Sequence, residues 1–322
     1  MQTRIIFIDS EGTLRDSSKV INQDTLEIIK KLEEKGIPVV ITTGLPRFIS
    51  KKIRDESGAS RYLISSNGAD IFDVVKNDSI SKTFIEKEIV REIYANLNQE
   101  YNIILGVGDF EYSNNLNEYN KFARSIEDIN SIKEGIYQIH ISQKVPVIDL
   151  KNNLEEIKDF IKKYDFYKLR LLLGEEFFEK IISSKISNLT KDELNVLIRA
   201  IRFFKLVSVK NKIFNMYKDN IILANQSLDF TKFEFTGETP WFSLNEIGVS
   251  KGNAIEILCN YLNIDNKFSI GIGNDYNDKS MINHVSLFIC PSDSRSFIKE
   301  DENVVCSNLE GVSKILKRIY ER

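Results

Sequence analysis

The opening of the chain alternates short apolar runs with polar turns. "RIIFID" (4–9) is an unbroken apolar run of strand length and predicts a strand buried on both faces. Leu26, Ile29 and Leu32 then fall three apart, with Asn22 placed as an N-cap and Gly36 as a stop, predicting a helix over about residues 23–35. "IPVVITT" (37–43) predicts a second buried strand, and a short helix starts at Pro46, where proline is tolerated. "RYLISS" (61–66) is a third strand, and "NGADIF" turns into another. This β-α-β-α-β order predicts a parallel sheet with right-handed crossovers.

The rhythm then changes. "SKTFIEKEIVREIYANL" (81–97) reads as an amphipathic helix, and "NIILGVG" and "IYQIHIS" as strands. In the second strand Tyr137, Ile139 and Ile141 take one face, and Gln138, His140 and Ser142 the other. Leu150, Leu154, Ile157 and Ile161 form a helical stripe, and Thr190-Lys191-Asp192-Glu193 is a capping-box pattern ahead of "LNVLIRAIRFF". Strands at "NIILA" (220–224) and "WFSLNE" (241–246) follow. Mixed elements without a βα rhythm predict a separate α+β domain. From about residue 248 the α/β rhythm resumes through "SKGNAIEILCNYLNI", "FSIGIG", "VSLFIC" and a terminal helix. The expected layout is an α/β core of residues 1–80 and 245–322, interrupted by an inserted α+β domain over 81–244.

Composition narrows the function. Hydrophobic residues make up 42% and charged residues 28% of 322, enough for globular cores. A net charge of −3 and a pI near 5.7 give no electrostatic case for nucleic acid or anionic membrane. The lysine-bearing stretch 205–218 reads as a solvated amphipathic segment. No apolar run is long enough to span a bilayer, and the N-terminus lacks a signal-peptide pattern. Cys259, Cys290 and Cys306 form no CxxC, so a reduced, cytoplasmic protein is expected. With His140 and His284 as the only histidines, metal chemistry would use oxygen ligands, pointing to magnesium or calcium. No motif specifies an oligomeric state.

Four polar features sit where ligands bind an open α/β sheet, at strand C-termini or a helix start. Asp9-Ser10-Glu11-Gly12-Thr13 pairs two carboxylates on a turn. Such a pair suits a nucleophile plus an acid/base, and it needs a cation to offset repulsion. Thr42-Thr43-Gly44 offers a hydroxyl and N–H groups for a phosphate. Ser250-Lys251-Gly252 opens a helix with a potential phosphate-neutralising lysine. "GIGNDYNDKSM" (271–281) packs Asn274, Asp275, Asn277 and Asp278 after a buried strand, and its Tyr276 breaks the GxGxxG pattern of dinucleotide binding.

In this order the features resemble the haloacid dehalogenase (HAD) superfamily, most closely its Cof-like phosphatases, whose large cap is inserted after the third core strand. "DSEGTL" resembles the first motif DxDGT-Leu, "SSNGADIF" the segment before the cap, "GVSKGNAI" the lysine motif and "GNDYNDKSM" the acidic motif GDxxND. The resemblance implies a HAD-like Rossmannoid core and a Mg²⁺-dependent phosphatase acting on a small phosphorylated, sugar-phosphate-like metabolite. It implies Asp9 as the nucleophile that becomes phosphorylated and Glu11 as acid/base, with Glu11 also ligating Mg²⁺ through its backbone carbonyl. Thr43 and Lys251 would hold phosphoryl oxygens, helped by Gly12, Thr13, Gly44 and Asn277. Asp9, Glu11, Asn274, Asp275 and Asp278 would form the metal shell.

Three positions depart from that pattern. Glu11 replaces an Asp and reaches about 1.5 Å further. Asn274 stands where a metal-binding Asp is usual, and Leu45 replaces a frequent Arg. Glu11 and Asn274 also suit a phosphate-binding regulatory protein without turnover, and a phosphomutase would share the first half-reaction.

Overall fold

The computed structural model describes residues 3–16, 18–117, 120–143, 170, 174–183, 189–226, 240–307 and 311–321. One sheet takes β1 (Ile5–Ile8), β2 (Val39–Thr42), β3 (Tyr62–Ser65), β4 (Asp70–Asp73) and β5 (Asp78–Lys82) from the start of the chain. It takes β12 (Ser269–Ile272), β13 (Leu287–Cys290) and β14 (Val304–Cys306) from the end. Across the sheet the order is β14-β13-β12-β1-β2-β3-β4-β5, parallel from β14 to β3 and antiparallel through β4 and β5. β1 is therefore central, held between β12 and β2.

Its unbroken apolar run follows from that position. Ile6 and Ile8 pack on one face with residues of α1 (Gln23–Glu34), α2 (Arg47–Ser57) and α6 (Val312–Tyr320). Ile5 and Phe7 pack on the other with α5 (Lys251–Leu262), and all four β1 side chains are fully buried. The Asn22 side chain caps α1 as the sequence suggests, and Gly36 follows its end at φ +74°.

The second sheet runs β10 (Ile221–Gln226), β11 (Trp241–Glu246), β9 (Gln138–Gln143), β6 (Tyr101–Gly106), β7 (Glu111–Ser113) and β8 (Arg124–Ser125). Ile139 and Ile141 of β9 face an apolar cluster shared with α3 (Lys87–Leu97) and α4 (Lys191–Tyr217), while Gln138 and His140 face the opposite way. The Thr190–Glu193 capping box forms at the start of α4.

Two expectations change. Ser81 and Lys82 end strand β5, and the helix expected from residue 81 begins at Lys87. Ile85 forms an antiparallel bridge to Ile136, so this segment stays extended; only Ile89, Val90 and Ile93 make a buried helical stripe. β7 and β8 were not legible, being three and two residues long. The stripe Leu150, Leu154, Ile157 and Ile161 lies outside the described residues. Among the described residues no helix is long and apolar enough to cross a membrane.

Candidate active site

The C-terminal ends of the parallel strands share one edge of the core sheet, the edge at which α/β sheets bind ligands. β1 delivers Asp9 there, 5% exposed, with its N–H donating to Ile272 O at 2.9 Å. After β3, Ser66, Asn67 and Gly68 all take positive φ, at 50°, 59° and 104°. A Cβ on Gly68 would lie 2.3 Å from the Ser250 carbonyl oxygen, so glycine lets this turn press against the N-cap of α5. Ser250 Oγ accepts the Asn253 N–H at 3.1 Å.

α5 thereby starts with Lys251 aimed inward and fully buried. Its Nζ donates to Asp9 Oδ1 and to Asp278 Oδ1, each at 2.6 Å. Burial alone would pull the lysine down, but Asp278 and then Asp9 hold it charged. Burial, and next the charge on Asp278, push the Asp9 carboxyl up to about 7 against the pull of Lys251. Asp278 Oδ2 accepts the N–H groups of Asn274 (2.8 Å) and Asp275 (3.0 Å). Both oxygens of Asp278 are thus engaged in fixing Lys251 and the 274–278 loop, rather than open toward a metal. Gly252 allows the loop this close: a Cβ there would lie 2.1 Å from Ser280 O.

Beside Asp9, Ser10 Oγ and Thr43 Oγ1 are 2.7 Å apart, and Thr43 Oγ1 accepts the Leu45 N–H at 3.2 Å. A chain of side-chain amides, half-buried at Asn277 and buried at Asn67 and Asn245, continues from there. Asn277 Nδ2 donates to Asn67 Oδ1 (2.9 Å), and Asn67 Nδ2 donates to Asn245 Oδ1 (3.4 Å). Asn245 Nδ2 donates to Ser66 O and, at 2.7 Å, to Tyr137 O beside β9. Gly44 fits against this chain, since a Cβ would meet Asn67 Oδ1 at 2.9 Å.

Glu11 is held differently. Arg15 Nε donates to Glu11 Oε1 at 2.9 Å, a second guanidinium nitrogen touches the same oxygen, and the Glu11 side chain is 41% exposed. The Gly12 N–H donates to Arg15 O at 2.9 Å and so is not free for a phosphoryl oxygen. Gly12 sits at φ +75° against Asn274, where a Cβ would lie 2.4 Å from Nδ2. Asn274 Oδ1 and Thr13 Oγ1 are buried without a hydrogen-bond partner among the described residues. The Asp275 side chain caps the following turn through the Tyr276 N–H at 2.7 Å and pairs with Arg295 Nε at 3.5 Å.

Asp9, Glu11, Thr43, Gly44, Asp275 and Asn277 line one cavity of about 380 Å³, whose opposite wall comes from the second sheet. A larger cleft of about 620 Å³ reaches Lys251 and shares Asn67 and Asn277, but Asp9 does not line it; the smaller cavity is the one at the reactive carboxylate. Ser10, Arg15, Asn67 and Asn245 were not assigned roles from sequence. Asn67 lay within the quoted "SSNGADIF"; the others carry no pattern of their own.

This is the architecture of a Rossmann-like phosphoryl-transfer site: a carboxylate at the end of the central strand, a buried lysine, a hydroxyl and an amide-rich loop. A haloacid dehalogenase-like hydrolase profile matches residues 6–187 and 173–316. The chain belongs to that family. Phosphatase YwpJ of Bacillus subtilis is 24% identical over 98% of this chain and 99% of its own length. A haloacid dehalogenase-like hydrolase from Bacteroides thetaiotaomicron superposes with a TM-score of 0.69 at 18% identity, covering 99% of this chain and 100% of that one. The HAD subclass IIB sugar phosphatase BT4131 does so at 0.62 and 15%, covering 98% of each. The enzyme class is phosphoric monoester hydrolase.

Proposed function

We propose that the protein hydrolyses small phosphorylated metabolites with Mg²⁺, through a phosphoryl group carried transiently on Asp9. The inserted segment, residues 81–244, acts as the substrate-selecting cap. The observation that carries this reading is the Lys251 bridge between Asp9 and Asp278 at the edge of the central strand.

The donor set fits a hard cation. Among the described residues no three carboxylate, imidazole or thiol side chains converge, so the set is mixed. The Asp9 carboxylate, the Glu11 backbone carbonyl and the orphaned Asn274 Oδ1 would hold Mg²⁺, with Asp275 supplying charge nearby. Bound there, the ion offsets negative charge on the phosphoryl oxygens. An Asp9 oxygen attacks phosphorus while the ester P–O bond breaks, and Glu11 delivers a proton to the departing alkoxide. Glu11 then takes a proton from water as that water attacks phosphorus, releasing phosphate and restoring Asp9. Lys251 and Thr43 stabilise the transferring oxygens from fixed positions. The inserted segment closes the cavity against bulk water.

Hydrolysis of p-nitrophenyl phosphate, with Mg²⁺ and with chelator, tests this. The expected result is Mg²⁺-dependent turnover that Asp9→Asn abolishes while the circular-dichroism spectrum is kept. An Asp9→Asn variant as active as its parent would falsify the nucleophile assignment.

A further inference from the structure

The wall opposite Asp9 is set by strand register. Gly106 of β6 pairs with Glu111 of β7 on one side and with Gln138 of β9 on the other, so these three form one row across the sheet. In the next row Ile104 pairs with His140, which pairs with Ser243 of β11. Period-two alternation puts both rows on the same face, and Glu111, Gln138, His140 and Ser243 all line the cavity with Asp9. Gly106 contributes no side chain between Glu111 and Gln138; among the described residues a Cβ there would meet only Gln138, at 3.8 Å. Trp241 extends the same face, its ring 4.9 Å from that of His140 at 32°.

The chemistry of this wall is lopsided. The Glu111 side chain makes no hydrogen bond or ion pair with any described residue. Burial alone lifts its carboxyl to about 7. Burial also drops His140 to about 4, so its ring is a neutral, stacked surface at ordinary pH. No lysine or arginine among the described residues lines the cavity. A half-buried carboxylate with no cation beside it is costly, and a ligand that supplies the cation recovers part of that cost. An aromatic platform beside it favours a flat ring or a cation over its face.

We propose that Glu111 is a specificity-determining residue, and that the preferred substrate is a zwitterionic phosphate monoester: phosphate at Asp9, a ring against Trp241 and His140, and an ammonium group at Glu111. This rests on the phosphatase reading above. A second anionic group at the distal end meets Glu111 and finds no cation among the described lining residues, so phosphocarboxylates and bisphosphates are disfavoured.

Three pyranose probes test it: a 2-amino-2-deoxyhexose 6-phosphate, the neutral hexose 6-phosphate and the 2-O-carboxymethyl hexose 6-phosphate. The expected order of kcat/KM is amine above hydroxyl by about tenfold, and carboxylate lowest, as a desolvated charge pair implies. Within Glu111→Gln the amine-to-hydroxyl ratio falls to about one and the carboxylate probe gains relative to the neutral one, whereas Glu111→Asp keeps part of the amine preference. Because each ratio is taken within one variant, partial misfolding does not mimic the result. A parent ratio near one, or an unchanged ratio in Glu111→Gln, overturns the proposal. Trp241 is the sole tryptophan, so saturable quenching of its fluorescence by the amino probe reads the same preference without turnover. Equal quenching affinity for the amine and carboxylate probes also overturns it. Turnover of p-nitrophenyl phosphate by the parent tests the phosphatase reading separately.

Discussion

Replacing Arg47 with methionine should unseat the junction between the two sheets. Arg47 is the first residue of α2, yet its side chain is only 10% exposed. Its guanidinium donates to Asp109 Oδ1 (3.1 Å) and Oδ2 (3.0 Å) in the β6–β7 turn and to Ser79 Oγ (3.1 Å) in β5. It also lies 3.1 Å from Asp70 Oδ2 in β4 and stacks on Phe72. The two carboxylates differ in what they lose. Asp109 is 61% exposed, so water replaces its partner, and Asp109→Ala should cost under about 1 kcal/mol. Asp70 is fully buried and would keep, among the described residues, the hydroxyls of Ser79 (2.7 Å) and Ser65 (3.4 Å) and the weaker pull of the Lys82 charge. A buried carboxylate stripped of its cation costs about 3–5 kcal/mol, which is the loss expected for Arg47→Met at pH 8. Burial already raises the Asp70 carboxyl and Arg47 is foremost in opposing it. Without the arginine Asp70 binds a proton more readily, so the deficit should shrink as pH falls toward 5. Urea unfolding followed by Trp241 fluorescence measures this, and Arg47→Met/Asp70→Asn should recover most of the loss. A cost below 1 kcal/mol at pH 8, or a double variant weaker than the single, would refute the reasoning.

Three further outcomes follow from the same structure. Gly252→Ala forces a methyl against the Ser280 backbone, which cannot swing aside, so it should destabilise the protein by about 2 kcal/mol or more in the same titration. Glu111 has a folded-state value raised to about 7 from 4.5, so its stability contribution is complete below about pH 4.5 and is lost as pH rises through about 7. Glu111→Gln should therefore gain on the parent by about 1–3 kcal/mol at pH 8 and lose that advantage at pH 4.5; a constant difference across the range would count against an ionising Glu111. Cys306 is exposed, while Cys259 and Cys290 are buried with thiols pushed up to about 12, so iodoacetamide at pH 8 should label Cys306 first by mass spectrometry.

Local order was written in local residues. The apolar runs at 5–8 and 39–42 made buried strands because both faces of a parallel sheet are covered, and the caps at Asn22 and Thr190 formed as spelled. Asp9, Thr43 and Lys251 were legible because each sits where a strand ends or a helix begins, and strand termini collect at one sheet edge. What the chain could not show was how those residues share their bonds. Lys251 reaches Asp9 across 242 positions, and Asp278 spends both oxygens on that lysine and its own loop. Arg15 claims Glu11, Arg47 ties the two sheets, and the Asn277–Asn67–Asn245 chain runs from the site to β11 and Tyr137 at the second sheet. The lone Glu111 and the Trp241–His140 face emerged only once β6, β7, β9 and β11 took their register. Periodicity and capping act between neighbours and survive in one dimension. The pairing of buried charges depends on which distant segments exclude water together, and tertiary structure alone decides that.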